Sequence, residues 1–225
     1  MLTQTINRKR TAVRVAQSVP SNTFNLGSPI EMMGALMPFT SDAEIYGEGE
    51  SADYLYKVVS GAIRTYKMLN DGRRQIGSFY LPGDIFGLEV GADHPFSAEA
   101  VADSKVLVIR RSAIIALAGR DKEVARQLWM MAAMELQHAQ RHTTLLVKTA
   151  QKRVVGFLLE MAARTPGVTE VDLPMPRQDI ADYLGLTIET VSRTMTQLKN
   201  SGAVALATSR RIVLRRRGEL NRMNA

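Results

Sequence analysis

Cysteine is absent from all 225 residues of the chain. Without it the protein cannot form disulfide bonds, thiolate zinc sites or cysteine-ligated iron–sulfur clusters, and it has no cysteine nucleophile. The sequence also lacks any apolar run near the ~18 residues that a membrane-spanning helix needs, and its N-terminus has no apolar signal core. We therefore expect a soluble, cytoplasmic protein with no membrane contact.

Acidic residues are absent before Glu31, whereas Arg8, Lys9, Arg10 and Arg14 make this segment basic. We interpret residues 1–22 as a flexible basic tail, with a transit peptide as the alternative. The whole chain carries a formal net charge of +7. Residues 151–225 contribute +5 of it, because they hold 12 lysines and arginines against 7 acidic residues. This balance favours a polyanionic partner.

Short apolar runs separated by turn signals occupy residues 24–109. Tyr54–Val59 ends at Ser60-Gly61, and Ile63–Leu69 precedes Asn70-Asp71-Gly72, a sequence typical of a hairpin turn. A last run follows at Val106–Ile109. Short strands at this spacing predict a β-barrel or β-roll, which we assign to residues 23–118.

Proline is absent between Arg111 and Leu146, and Gly119 is the only glycine there. Asp121 can cap a helix that continues to Leu146, and about 26 residues would reach ~39 Å. We assign residues 119–148 to a dimerisation helix, with packing on the β-roll as the alternative. The predicted dimer interface consists of Val124, Leu128, Met131, Glu135, His138, His142 and Leu145.

A helix-turn-helix is predicted within residues 177–201, in a C-terminal domain covering 149–225. Its first helix, Arg177–Leu184, has an apolar face of Ile180, Ala181 and Leu184, and Gly185 permits the tight turn that follows. Thr187 is suited to cap the second helix. The predicted buried face of that helix is Val191, Met195 and Leu198.

The opposite face of the second helix is polar, as expected for a helix that enters the major groove. Arg193 can donate two hydrogen bonds to guanine, Glu189 can accept from a cytosine amino group, and Ile188 suits a thymine methyl. The alternative is an i, i+4 salt bridge between Glu189 and Arg193 on a solvated face. The predicted base contacts are Ile188, Glu189, Ser192 and Arg193.

A basic hairpin follows, in which Ala203–Ala207 and Ile212–Leu214 flank a tip containing Arg210 and Arg211. We interpret this hairpin as a wing beside the helix-turn-helix. The run Arg215–Arg217 is either a further phosphate contact or a solvated tail.

At this point the sequence resembles the CRP/FNR family of bacterial transcription regulators over nearly its full length. The segments that carry the resemblance are Leu81–Gly87, with its Pro-Gly-Asp turn, and Asp182–Arg193, with the Glu-x-x-Ser-Arg pattern of the FNR branch. The resemblance implies an α+β fold: a β-roll sensor domain, a long dimerisation helix and a winged helix-turn-helix. It also implies a half-site of TTG followed by A-T, repeated as an inverted CAA. The predicted phosphate contacts are Gln151, Arg177, Thr187, Thr190, Thr208, Ser209, Arg210 and Arg211.

The chain departs from the family pattern at positions that bind cyclic nucleotides or iron–sulfur clusters in other members, and these departures limit which branch of the family it resembles. Where cyclic-nucleotide-binding members carry Arg-Ser for the phosphate, this chain has Phe96 and Ser97, so a buried phosphate would lack a charged partner. Iron–sulfur sensing is excluded by the missing cysteines, which leaves the FixK-like branch. Pro176 stands where some FixK-like proteins carry a cysteine. We therefore expect no cofactor.

The expected function is a DNA-binding transcription regulator, an activator that acts as a homodimer and contacts RNA polymerase, rather than an enzyme. The alternative is a CRP-like sensor gated by a small ligand or by haem. His138 and His142 are spaced to hold a metal or haem, but no third ligand is evident, so we expect no metal. We interpret Asp179 and Asp182 as capping or solvated groups rather than catalytic acids.

Overall fold

The structure is a computed structural model that describes residues 31–164, 170–208 and 210–224. The predicted N-terminal tail, the loop at Thr165-Pro166-Gly167 and Ser209 lie outside the described residues. A 3-10 turn at Glu31–Met33 opens the described chain. None of the described helices is both long and apolar enough to cross a membrane.

The N-terminal half is a β-roll of two antiparallel four-stranded sheets, with strand orders β1-β8-β3-β6 and β2-β7-β4-β5. The strands are β1 (Ala35–Phe39), β2 (Glu44–Tyr46), β3 (Tyr54–Ser60), β4 (Ile63–Met68), β5 (Arg74–Tyr80), β6 (Ile85–Phe86), β7 (Ser97–Ala100) and β8 (Ser104–Arg110). The predicted hairpin is present, since residues 69–73 join β4 to β5. Alternate residues of β7 point inward, and its Ala98 and Ala100 pack against Val58, Ile63 and Val106 in the roll's core. The predicted β-roll is confirmed.

The proline-free segment forms two helices, α1 (Arg111–Ala118), which lies within the range assigned to the β-roll, and α2 (Lys122–Leu146), the predicted long helix. The break between them lies at Gly119–Asp121. Asp121 caps α2 as predicted, because its side chain accepts hydrogen bonds from the backbone N–H groups of Glu123 and Val124.

The face of α2 that we predicted for dimerisation packs within the chain instead. Val124 packs with Leu55, Ile109 and Ile114, and Leu128 lies against this cluster. Met131 and Leu145 are also buried within the chain. The remaining predicted residues contact other elements: Tyr80 donates a hydrogen bond to Glu135 (2.9 Å), and His138 and His142 contact the C-terminal helices. The apolar stripe of α2 therefore packs against other parts of the same chain. Trp129 (76% exposed) and Leu136 (60% exposed) lie outside this stripe.

The C-terminal part is a winged helix-turn-helix. Its elements are α3 (Ala150–Ala163), β9 (Glu170–Asp172), α4 (Arg177–Leu184), α5 (Ile188–Asn200), β10 (Val204–Leu206), β11 (Arg211–Leu214) and α6 (Arg217–Asn224). The strands form one sheet in the order β10-β11-β9. The basic run Arg215–Arg217 does not lead into a tail but into α6, whose Leu220 is fully buried and whose end accepts a hydrogen bond from Lys148 Nζ at 2.6 Å.

One hydrophobic core joins the two halves. Phe79 of the β-roll lies 5.2 Å from the ring of Tyr183 in α4 and 6.2 Å from Phe157 in α3, measured between ring centroids. Ile76 and Val101 of the roll belong to the same cluster. The helix-turn-helix is thus packed directly on the sheet that contains β4 and β5.

Candidate nucleic-acid interface

The turn between α4 and α5 has the local geometry that the sequence predicts. Gly185 adopts a left-handed conformation (φ 60°, ψ 41°) that side chains disfavour, and its N–H donates to the carbonyl of Ala181. Leu186 packs against the core beneath the turn. Thr187 then caps α5, because its hydroxyl accepts from the N–H of Thr190 at 3.3 Å.

Helix α5 divides into a buried face and an exposed polar face. Val191, Met195 and Leu198 are buried as predicted. Thr194, which the sequence analysis did not place there, is buried with them and bonds the carbonyl of Thr190 at 2.9 Å. The opposite face presents Ile188, Glu189, Ser192, Arg193 and Thr196, all at least partly exposed.

Glu189 and Arg193 are both exposed, and in the part of the chain that the structure describes neither takes part in an ion pair. The alternative of an i, i+4 salt bridge therefore finds no support in the geometry. Both charged groups remain available to an external partner from adjacent turns of one helix.

Arg177, at the start of α4, lies next to the exposed face of α5. Its Nη1 is 3.4 Å from Ser192 Oγ, to which it donates a hydrogen bond. Thr187 and Thr190 lie on the same side, with their hydroxyl oxygens 3.0 Å apart. Gln151 is exposed on the first turn of α3. Hydroxyl, amide and guanidinium donors of this kind are typical of groups that bind backbone phosphates.

The wing presents two arginines in different electrostatic states. Thr208 shapes the tip, since its hydroxyl accepts from the N–H groups of Arg210 (3.2 Å) and Arg211 (2.9 Å). Arg211 forms an ion pair with Asp172 at 2.8 Å, and the hydrogen bond to this carboxylate raises the pKa of Arg211. The Arg210 side chain is exposed and has no carboxylate partner within the described residues. Among the described residues of the wing, Arg210 is thus the cation without a carboxylate partner.

A polar cluster joins α2 to α3 and α4 behind the interface. His138 Nε2 lies 3.0 Å from Glu160 Oε1, and the His142 ring stacks on Tyr183 while its Nε2 donates to the Tyr183 carbonyl at 2.8 Å. Burial lowers the pKa of His138, but the hydrogen bond and charge of Glu160 outweigh it and raise the pKa. Burial lowers the pKa of His142. No group of three potential metal ligands occurs among the described residues.

Aromatic side chains fill much of the described interior of the β-roll. Phe96, at the position of the phosphate-binding arginine, lies against the backbone of Gly77, and the Ser97 hydroxyl accepts a hydrogen bond from the N–H of Glu48 at 2.9 Å. The buried ring of His94 stacks on Tyr46 at 3.5 Å between centroids, and Phe86 stacks on Tyr56. A cavity of about 10 Å³ lies between β3 and α2, where Leu55 and Met131 are among the lining residues.

The acidic residues on α4 have a role that the sequence did not predict. Asp179 is neither a cap nor solvated: it is 1% exposed and bonds Arg64 of β4. Asp182 bonds Arg74 of β5. The only local signal was the position of Asp179 beside the apolar face of α4, because both arginines lie more than 100 residues away in sequence.

Family models and relatives agree with this architecture. A Crp-like helix-turn-helix domain matches residues 152–223, and a cyclic nucleotide-binding domain matches residues 36–121. The chain is 48% identical over 202 residues to the nitrogen fixation regulation protein FixK of Azorhizobium caulinodans, covering 87% of this chain and 82% of that one. It is 40% identical over 167 residues to the transcriptional activatory protein AadR of Rhodopseudomonas palustris, covering 72% and 70%.

A solved structure shows the same fold along most of the chain. The structure of FixK2 from Bradyrhizobium japonicum has a TM-score of 0.82 and 51% identity, and it covers 85% of this chain and 98% of that one. The predicted α+β fold class and family are confirmed, and the family comprises DNA-binding transcription regulators, not enzymes. The chain belongs to the CRP/FNR family of transcription regulators, on its FixK-like branch.

Proposed function

We propose that the protein is a homodimeric transcription activator of the cytoplasm that binds a TTG(AT)-N-(AT)CAA-type palindrome without a bound effector and contacts RNA polymerase. The observation that carries this proposal is the free polar face of α5, with Glu189 and Arg193 exposed and unpaired within the described chain. The family relationship to FixK proteins and to the activatory protein AadR supports regulation by activation.

Base recognition is assigned to the first turns of α5. Arg193 has the donor geometry for guanine O6 and N7, Glu189 accepts from the cytosine amino group of the paired strand, and Ile188 faces a thymine methyl. Ser192, bonded to Arg177, completes the set of base contacts. The phosphate contacts are Gln151, Arg177, Thr187, Thr190, Thr208, Ser209, Arg210 and Arg211. The seven lysines and arginines in excess over acidic residues along the chain favour association with DNA.

A palindrome requires two recognition helices about one DNA turn, ~34 Å, apart, and therefore two copies of the chain. The outer face of α2, which we define as Trp129, Leu136, Ala139 and Thr143, is the surface that we propose for the dimer. Trp129, Leu136 and Thr143 are spaced by seven residues, which places them on one side of the helix. Leu136, Ala139 and Thr143 line a shallow, open depression on this face.

The first experiment is selection of bound duplexes from a random pool, followed by competition binding. Arg193→Ala should lower affinity for the TTG/CAA palindrome by ~1–3 kcal/mol and change affinity for random DNA little. Arg120→Ala is the matched control, since Arg120 is exposed in the turn between α1 and α2, outside the proposed interface. Equal losses on palindromic and random DNA for Arg193→Ala would make Arg193 a phosphate contact and contradict the assigned readout.

A second experiment addresses the effector. Calorimetry with cAMP and with cGMP should detect no micromolar binding, because Phe96 supplies no charge to a cyclic phosphate. The protein without added ligand should bind the selected duplex at full affinity. Micromolar binding of either nucleotide that strengthens DNA binding would favour the ligand-gated alternative.

A further inference from the structure

A cluster of charged side chains is buried where the β-roll meets the helix-turn-helix. Arg64 of β4 is 6% exposed, and its Nη1 donates to Asp179 Oδ2 of α4 at 2.6 Å. The same guanidinium donates from Nε (3.0 Å) and Nη2 (2.7 Å) to Glu99 of β7. Glu99 of the sheet therefore fixes the position of the Arg64 side chain, and Arg64 in turn binds Asp179 of α4.

A second arginine engages α4 one turn further along. Arg74 of β5 donates from Nε (3.0 Å) and Nη2 (2.9 Å) to Asp182 Oδ2, and its Nη2 also contacts Asp179. Asp179 and Asp182 are three residues apart, so they lie on one face of α4. We call Arg64, Arg74, Glu99, Asp179 and Asp182 the interdomain charge cluster.

We expect this cluster to determine the orientation of α4 on the β-roll more than the stability of the contact between the two halves. The apolar contacts of Phe79 with Tyr183 and Phe157 already attach the two halves, and burial of apolar surface has little directional preference. A buried ion pair is costly to desolvate and is weak evidence for stability, whereas an arginine fork with two donors has a narrow preferred geometry. On one face of α4, Arg74 directs two donors to Asp182 and Arg64 directs one donor to Asp179. Together these hydrogen bonds restrict both the position and the rotation of α4.

The orientation of α4 also determines the orientation of α5, the proposed recognition helix. Only the short turn at Gly185 separates α4 from α5, and the two helices share the core residues Ile180, Leu184 and Val191. Arg153 adds a bridge from α3 by donating to the carbonyl of Leu184 at 2.9 Å. A rotation of α4 on the β-roll would therefore move α5 as one body.

We propose that Arg64 and Arg74 are positioning residues for DNA recognition: through Asp179 and Asp182 they orient α5 and so determine which spacing between half-sites the dimer accepts. The proposal rests on the proposed function, because it requires a dimer that reads a palindrome. In this arrangement the β-roll serves as the reference surface that orients the recognition helix, and no ligand is needed to set the spacing.

The test measures spacing preference instead of affinity alone. Competition binding compares the selected palindrome with duplexes whose central spacer is one base pair longer or shorter, a change of ~3.4 Å and roughly 35° between half-sites. We expect the natural chain to discriminate between spacers and Arg64→Gln and Arg74→Gln to reduce that discrimination about 10-fold, within the range of couplings between communicating sites. The penalty for a base change inside a half-site should stay the same, since α5 itself is unaltered.

Arg73→Gln is the matched control, because Arg73 neighbours Arg74 but is exposed and, among the described residues, pairs only with Asp71 of its own turn. It should keep the natural spacing preference. Arg74→Glu combined with Asp182→Arg should recover the discrimination that each single change loses. If Arg64→Gln does not fold, Arg74→Gln and the exchanged pair carry the test, because Arg74 and Asp182 lie at the partly exposed rim of the cluster.

A merely structural role would weaken binding to all spacers equally and leave their ratio unchanged, which would overturn the inference while leaving the proposed function intact. A natural chain that prefers no spacer and no palindrome would overturn both. Loss of spacing discrimination in the two arginine variants, with recovery in the exchanged pair, supports the inference.

Discussion

His138 of α2 and Glu160 of α3 form a partly buried ion pair, with 3.0 Å between Nε2 and Oε1. Six charged or titratable groups surround or face His138: Glu135 and His142 on its own helix, Glu160 and Arg164 at α3, Tyr183 on α4, and Asp84 in the turn before β6. The pKa of Glu160 is lowered, because the hydrogen bond and charge of His138 outweigh the effect of burial, which raises it. The charged form of the pair is therefore the favoured one in the folded protein.

The raised pKa of His138 predicts a pH-dependent contribution to stability. A histidine titrates near pH ~6.5 when unfolded, so the stabilisation from protonated His138 is complete below that value and is lost as pH rises through its higher folded pKa. His138→Gln should therefore lower the free energy of unfolding more at about pH 5.5 than at about pH 8.5. Urea unfolding at both pH values measures the difference.

His142→Gln is the control, because the pKa of His142 is shifted in the opposite direction. It removes a group that must lose its proton on folding, so its pH dependence should have the reverse sign. The same loss of stability at both pH values for His138→Gln would show that the ion pair does not titrate in this range.

Residues whose role depends on near neighbours in sequence were predictable. The short turn between α4 and α5 requires a left-handed backbone conformation, which glycine adopts readily at Gly185. The hydroxyl of Thr187 accepts a hydrogen bond from an N–H only three residues away, that of Thr190. Asp179 was misread because its partner Arg64 is 115 positions distant. An aspartate beside an apolar helix face is compatible with a cap, a solvated group or a buried pair, and only the tertiary fold decides which.

At the level of elements, α2 presents an inner and an outer face with different partners. The inner face buries Val124, Met131 and Leu145 within the chain, while the outer face leaves Trp129 and Leu136 exposed. The sequence predicted the helix and its cap, but the residues that it assigned to a partner pack within the chain. Both faces carry apolar residues, and periodicity locates a stripe without identifying what covers it.

Disruption of the outer face should separate the dimer without unfolding the chain. Trp129→Glu and Leu136→Glu place charges in the proposed interface, and buried aromatic anchors commonly contribute ≥2 kcal/mol, or roughly 30-fold in affinity. Sedimentation at micromolar concentration should show monomers for these variants and dimers for the natural chain. Circular dichroism should be unchanged, since neither side chain is buried within the chain.

Val90→Glu is the matched control for this experiment, because Val90 is a fully exposed apolar residue of the β-roll and is not part of the proposed interface. It should remain dimeric. Dimers that persist in both α2 variants would move the interface to another surface, and a natural chain that stays monomeric with and without DNA would refute the homodimer.

At the scale of the whole molecule, positive charge is concentrated in the part that carries the winged helix-turn-helix. Residues 151–225 hold 12 basic and 7 acidic residues, and the preceding residues account for only +2 of the net +7. Some of these charges are already neutralised internally, as the pairs of Arg211 with Asp172 and of Arg164 with Asp84 show. The salt dependence of DNA binding should therefore report free cations at the interface, not the formal charge.

The wing offers a direct comparison of a free and a paired cation. Each phosphate contact contributes a slope of ~0.9 to the plot of log affinity against log salt, so removing one contact from each protomer of a dimer should reduce the slope by ~1.8. We expect this reduction for Arg210→Gln and for Arg177→Gln. Arg211→Gln should reduce the slope less, because Asp172 competes with phosphate for its guanidinium.

Asp172→Asn is a complementary variant, because it should increase the number of free cations on the wing. It removes the carboxylate that holds Arg211 at 2.8 Å, which frees that guanidinium for phosphate, so the slope should steepen and non-specific affinity should rise at low salt. Adding Arg211→Gln to Asp172→Asn should abolish the gain, whereas Arg120→Gln, outside the proposed interface, should leave every slope unchanged. Filter binding or fluorescence anisotropy between about 50 and 200 mM salt covers the informative range. Equal slopes for Arg210→Gln, Arg211→Gln and the natural chain would show that the wing does not contact the DNA. If the wing binds the phosphate backbone, loss of the Arg210 cation must reduce the number of counterions released and therefore the slope.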